Sequence, residues 1–288
     1  MVGSIPSSLD HALRLAQVEP FMPVAGGTDV MIRFKGGAMK HALPPLFIGD
    51  LKELKGVWKE QGYLCIGACE TYANIIKAAE VPVVFKKALS QIGSPAIRNQ
   101  GTLGGNICNA SPAGDALPLL FLFKAEVVLA SKEGERVLPL EEFITGPGQT
   151  GRKGNELLIM IRINEAFLSK RYFYVFEKMG NRKADAISKA SFALRLLLDD
   201  KSVIDMDAAF GAMGPRVTLL NDTIKSLILG KEFPLANLDT TLLRENLFSL
   251  LTPIDDQRST AKYRKTVALN LLSHYLTTNH MDQYKGAR

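Results

Sequence analysis

The chain has 288 residues, 47% hydrophobic and 22% charged, with a formal net charge of +6. That mixture is the composition of a soluble globular protein with room for two or three subdomains, and no apolar run approaches the roughly 18–20 residues that span a membrane. The basic residues are scattered and not interleaved with aromatics, so the charge reads as a solvated surface and not as a nucleic-acid footprint.

The first eight residues lack the basic and apolar regions of a secretion signal, which makes the cytoplasm the expected compartment. Ser8 to Val18 is predicted to be a helix with Ser7 or Ser8 as N-cap and Leu9, Ala12, Leu13 and Ala16 on one face. Phe21 to Ala25 reads as a short strand, and Val30, Met31 and Phe34 recur at helical spacing until Gly36-Gly37. Strands are expected at Leu46–Ile48 and Tyr63–Ile66. Helices are expected at Thr71–Glu80 and Val83–Ile92, with Pro82 between them. Trp58, the only tryptophan, lies in a polar stretch and reads as the anchor of a hairpin.

Ile97 to Asp115 shows neither helical nor strand period and is read as a long loop of small residues, the kind that is usually functional. A helix resumes over Leu117–Lys124, and a hairpin joins Ala125–Ala130 to Arg136–Leu138. Gly146 to Gly154 is a second loop rich in glycine, and Leu157–Ile163 is an apolar strand. Beyond Glu165 the character changes. Three long strands are expected at Tyr172–Lys178, Ala190–Leu198 and Val203–Gly211, followed by helices at Thr218–Leu229 and from Ser259 towards Thr277.

The two glycine turns carry the chemistry. Glycine lets a backbone take positive φ and approach a ligand, and successive N–H groups before a helix make an anion site. Gly26 and Gly27 stand at such a turn, where Thr28 can cap the helix and Asp29 can bond the turn's backbone donors. A bare Gly-Gly-Thr-Asp is equally an ordinary strand–helix turn. In the second segment Gly101, Gly104 and Gly105 interleave with Thr102, Asn106, Asn109, Ser111 and Asp115, neutral donors and acceptors suited to a polyhydroxy linker and a pyrophosphate. The spacing GxGxxG with a distant acid is absent, and so are GxxxxGK[ST], HExxH and GxSxG. Three cysteines, Cys65, Cys69 and Cys108, have neither a disulfide framework nor metal-ligand spacing, so reduced thiols and no metal are expected.

Taken in order, Pro6–Leu13, Ala25–Asp29, Ile97–Asp115, Gly146–Gly148, Glu156–Leu158, Phe176–Asp185, Phe210–Pro215 and Tyr263–Lys265 resemble the FAD-binding subunit of the molybdenum hydroxylases. That family includes the flavin subunits or domains of xanthine, aerobic carbon monoxide and nicotinate dehydrogenases. The resemblance implies an α/β fold with a following α+β unit. Residues 1–56 and 57–166 would be two FAD-binding subdomains of the vanillyl-alcohol-oxidase type, and 167–288 a C-terminal α+β domain. It implies FAD held by Val24, Ala25, Gly26, Gly27, Thr28, Asp29 and Val30 along the pyrophosphate, and by Gly101, Thr102, Gly105, Asn106, Asn109, Gly114 and Asp115 along the rest of the dinucleotide. Leu157 or Leu158 would lie near the adenine or the ring system, and Lys178 near the isoalloxazine, although a lysine at a strand end also reads as snorkelling. No catalytic side chain is implied. Molybdopterin would sit on a large partner subunit and two [2Fe-2S] clusters on a small one, in a heterotrimer passing electrons to NAD⁺. A stand-alone FAD oxidoreductase and a non-redox nucleotide- or nucleic-acid-binding module are the alternatives.

Overall fold

The computed structural model describes residues 3–36, 43–182 and 185–279; Gly37, Lys183 and Ala184, which carry part of the expected turn signals, lie outside them. Helix α1 (Leu9–Val18) begins where Ser8 Oγ accepts from the His11 N–H, as the N-cap pattern requires. Strand β1 (Met22–Val24) leads into α2 (Val30–Lys35), and β2 (Pro45–Phe47) lies parallel to β1. The hairpin of β3 (Val57–Glu60) and β4 (Tyr63–Gly67) turns at Gln61-Gly62 and pairs Trp58 with Cys65, the hairpin role expected of that tryptophan. Helices α3 (Tyr72–Lys77) and α4 (Val83–Ser90) follow, the first capped by Thr71.

The expected loop over 97–115 is instead two short helices, α5 (Pro95–Gln100) and α6 (Leu103–Asn109). Each has a side-chain cap: Ser94 Oγ accepts from Ile97 N, and Thr102 Oγ1 accepts from Gly105 N. Glycine and asparagine lower helix propensity and blur the period, but caps and tertiary contacts override a weak prior. Then come α7 (Leu117–Leu122), β5 (Glu126–Ser131), β6 (Gly134–Pro139), α8 (Leu140–Phe143), the small pair β7 (Ile144–Gly146) and β8 (Gln149–Thr150) within the expected glycine loop, and β9 (Leu157–Asn164).

The C-terminal part holds β10 (Phe173–Met179), β11 (Ala190–Asp199) and β12 (Ser202–Gly211), close to the three expected strands. The helix expected over 218–229 starts as β13 (Thr218–Leu219), because Thr218 and Leu219 pair with the edge of β12. Only α9 (Asp222–Ser226), capped by Asn221, is helical there. Helix α10 (Thr240–Leu250) was not anticipated, and α11 (Ala261–Thr277) was.

Two compact units result. One comprises Met1–Val81, Ile92–Ser111 and Lys124–Glu165; the other Pro82–Gln91, Pro112–Phe123 and Ala166–Arg288. In the first, a five-stranded antiparallel sheet runs β3-β4-β9-β5-β6. Ala12, Ala16, Phe21, Leu46, Ile48, Leu51, Leu54, Cys69 and Leu157 form a core that ties α1 to the β1–β2 pair. In the second, the antiparallel sheet β10-β11-β12-β13 buries alternate residues such as Phe192, Leu194 and Leu196 against Leu243, Leu247, Leu272 and Leu276 of α10 and α11. Arg264 on α11 is buried. It donates to Lys189 O, Ala212 O and Asp256, which ties the helix to the chain around it.

Candidate functional site

The glycines of both turns, Gly26 and Gly27 with Gly101, Gly104 and Gly105, belong to the first unit, and the two turns meet there. A Cβ on Gly26 would lie 1.9 Å from Gln100 O, so only glycine lets the turn after β1 rest on the end of α5. Gly104 is equally constrained: its Cβ would lie 2.5 Å from Ala68 O, the carbonyl that accepts from Gly104 N at 3.0 Å. These approaches enclose a pocket of about 350 Å³, within the range of small-molecule sites. One wall is the stretch from Met22 to Val30 with Arg33. The opposite wall is Thr102, Gly104, Gly105, Asn106, Cys108 and Asn109 of the α6 segment. Ile48, Ala68, Cys69, Tyr72, Gly148, Thr150, Arg152 and Leu158 complete it.

Val24, Ala25, Gly26, Gly27, Thr28, Asp29, Val30, Thr102, Gly105, Asn106, Asn109 and Leu158 therefore line one cavity. Of the pair Leu157 and Leu158, Leu158 lines it, while Leu157 lies in the core beside Phe21. Gly101 is buried between the turn and Tyr72 and does not reach the lining. Gly114, Asp115 and Lys178 belong to the second unit and are not in it. There Lys178 Nζ binds Asp115 Oδ2 at 2.6 Å and Gln91 O at 2.8 Å, and Ser188 donates to the same carboxylate. Burial pushes the Asp115 carboxyl up, with Lys178 opposing it.

The donors of the two segments differ. Among the described residues the N–H groups of Gly26, Gly27, Thr28 and Asp29 meet no acceptor, and Gly27 takes φ +68°. The second segment is not the donor cradle its glycines suggested. Leu103 N donates to Glu70 O, Gly104 N to Ala68 O and Gly105 N to the Thr102 cap. Two details of the first turn also differ from expectation. The N-cap position of α2 is Asp29, without a side-chain cap bond, so Thr28 does not cap it. The Asp29 carboxylate accepts from the Asn109 side chain at 2.7 Å and not from the turn's backbone.

The polarity of the pocket suits a large anion that carries further donors. Asn106 Oδ1 is buried and has no partner among the described residues, an acceptor left for a ligand. Arg152 Nη1 is fixed by Lys153 O and Glu156 O, with the guanidinium 5.7 Å from the centre of the Phe21 ring. The adjacent carboxylate, Glu156, is taken by Arg136 at 2.6 and 2.8 Å, and Arg136 together with the Lys153 N–H holds its carboxyl below the usual range. Arg152 thus has no carboxylate partner among the described residues. Burial pushes the Cys69 and Cys108 thiols up to about 12 and about 11, so both are neutral at ordinary pH and not nucleophiles. Arg33, Cys69, Tyr72, Cys108, Thr150 and Arg152 were not singled out as ligand-binding from the sequence. No short motif marks them, since strand pairing and helix packing alone bring them together. Among the described residues no cluster of His, Cys, Asp and Glu could hold a metal, and no helix is long and apolar enough to cross a membrane.

Residues 4–164 match the family model described as the FAD binding domain in molybdopterin dehydrogenase, and residues 174–278 match the CO dehydrogenase flavoprotein C-terminal domain. The nicotinate dehydrogenase FAD-subunit of Eubacterium barkeri is 30% identical over 247 residues, 82% of each chain. The glyceraldehyde dehydrogenase medium chain of Sulfolobus acidocaldarius is 29% identical over 271 residues, covering 90% of this chain and 91% of the relative. Among solved structures, a chain of carbon monoxide dehydrogenase from Hydrogenophaga pseudoflava superimposes with a TM-score of 0.84 over 95% of both chains at 23% identity. A chain of quinoline 2-oxidoreductase from Pseudomonas putida 86 also gives 0.84, at 20% identity, over 100% of this chain and 98% of that one. Those two structures establish the fold.

Proposed function

The chain belongs to the family of FAD-binding domains of molybdopterin dehydrogenases, and from that premise we propose that it is the electron-transfer subunit of a three-part molybdenum hydroxylase. It takes electrons from [2Fe-2S] clusters on a small partner subunit, and a large partner subunit carries the molybdopterin. NAD⁺ is the proposed acceptor and the cytoplasm the proposed compartment. Residues 1–56 and 57–166 are proposed as the two lobes of a vanillyl-alcohol-oxidase-type fold, with 167–288 as the C-terminal domain.

The observation that carries the reading is the pairing of free donors with a free acceptor in one pocket. Gly26, Gly27, Thr28 and Asp29, whose N–H groups meet no acceptor among the described residues, line it, and so does Asn106, whose buried Oδ1 has no partner among them. In this reading the turn holds phosphate oxygens, because bare N–H groups beside a helix start attract an anion. Arg152 adds a fixed positive charge. Asn106 Oδ1 accepts from a hydroxyl or ring N–H of the dinucleotide, and Leu158 supplies apolar surface. When bound, FAD supplies the redox chemistry, storing two electrons and exchanging them singly or as hydride, while the protein binds, orients and tunes it.

The pocket itself disfavours a stand-alone oxidoreductase. Such an enzyme needs a poised acid or base over the ring. Here the lining carboxylate, Asp29, is engaged by Asn109, and both lining thiols are neutral. The acceptor is tested by adding NADH anaerobically to the FAD-loaded protein. Bleaching of the flavin band supports NAD⁺. A band unchanged by NADH but bleached by dithionite assigns the acceptor role to another molecule.

A further inference from the structure

Asn109 ends α6, and both ends of its amide are held by α2. The amide nitrogen donates to Asp29 Oδ2 at 2.7 Å, and the amide oxygen accepts from Arg33. Asp29 and Arg33 are one helical turn apart, joined by the bond from Arg33 N to Asp29 O at 3.2 Å. An acid and a base at that spacing match the two poles of one carboxamide, so the orientation of Asn109 is fixed. All three residues line the pocket.

Among the described residues little else anchors this helix. None of the residues of α2 is buried, and Met31, Ile32 and Phe34 are 51%, 68% and 64% exposed. The turn that offers its N–H groups to the pocket runs directly into α2, so whatever fixes α2 also fixes those donors. We infer that Asp29, Asn109 and Arg33 form a strap that holds the donor turn against the opposite wall and sets the rate at which a bound dinucleotide leaves. The inference rests on the FAD reading, and it gives the side chains of these three residues a positioning role, while the Asp29 N–H stays with the donor turn. Donors held in place before binding cost no ordering when the ligand arrives, and a ligand enclosed by a strap departs only when the strap opens.

The test measures release of FAD from the loaded full-length chain, by the rise in flavin fluorescence after dilution into excess apo-scavenger. Loss of one or both charge-assisted hydrogen bonds at a part-exposed site should speed release about tenfold. Arg33→Ala and Asn109→Ala should each show this, and the double variant should add little, because either break opens the same strap. The discriminating variant combines Asp29→Asn with Asn109→Asp. It reverses donor and acceptor across the contact and should return release to within about twofold of the parent, whereas Asn109→Asp alone sets two carboxylates together and should release fastest. A swapped pair as fast as Asn109→Asp alone would overturn the strap, as would single variants that release at the parental rate. If a single variant fails to fold, the comparison of the swapped pair with the parent still decides. A parental chain that takes up no FAD would overturn the functional reading and this inference with it; a parental chain that holds FAD, with indifferent variants, overturns the strap alone.

Discussion

Lys178 and Asp115, far apart in sequence, form an ion pair of 2.6 Å with both side chains buried. The lysine also caps Gln91 O, at the end of α4, so β10 is joined to both sequence excursions that complete the second unit. A buried charge without its partner is costly, so Lys178→Met should destabilise the chain by about 3–5 kcal/mol at neutral pH, measured by denaturant unfolding. Adding Asp115→Asn should recover part of that loss. The pH dependence has a definite sign. Burial raises the Asp115 carboxyl in the folded state, and removing Lys178 raises it further. Stability contributed by a raised carboxyl is lost as pH rises, so the defect of Lys178→Met should shrink on acidification. A defect that grows towards low pH would contradict this.

Gly26 and Gly105 separate folding from binding. At Gly26 an added Cβ collides with backbone, so Gly26→Ala must displace the turn from α5. It should lower the melting temperature and abolish flavin retention together. At Gly105 the Cβ meets only the Thr102 hydroxyl, at 2.8 Å, and otherwise faces the pocket. Gly105→Val should cost about 1 kcal/mol through the disturbed cap, yet strip the flavin. Thermal melts and flavin-to-protein ratios check both.

Arg152 should act through charge. Arg152→Gln should weaken FAD binding about tenfold while leaving riboflavin, which has no phosphate, nearly unaffected. It should also flatten the salt dependence of FAD binding. Equal losses for FAD and riboflavin would assign Arg152 to packing on Phe21 and not to phosphate.

Asp256 reports on the anchoring of α11. Burial works against its charge, but the Arg258 and Ser259 N–H groups and the Arg258 and Arg264 guanidiniums prevail and hold its carboxyl at about 2. A lowered carboxyl stabilises the fold above its unfolded value near 3.8 and loses that contribution as pH falls towards 2. Melting temperatures should therefore fall across that window in the parent and less steeply in Asp256→Asn.

Much of the frame is legible in the sequence because its signals are local. Ser8 caps α1 through the next turn, and β9 and β11 are largely apolar runs. The two lining segments announce themselves through glycines that no ordinary helix or strand favours. What escapes is set by partners distant in sequence. Gly104 is helical because α6 backs onto Ala68, and Thr218 extends because β12 offers an edge. Arg33 and Arg152 carry no motif and enter the site only through tertiary packing. Asp29 and Asn109 are polar residues in glycine-rich segments, and nothing in the sequence announces their contact with each other.

FAD binding by this chain is tested most directly by the visible spectrum of the purified protein before and after addition of FAD, with the released cofactor identified by chromatography. Flavin absorbance bands are expected, with FAD as the released species and loss of those bands in Gly105→Val with the fold retained. A colourless protein that ignores FAD, or full occupancy in Gly105→Val, would contradict FAD binding at this site.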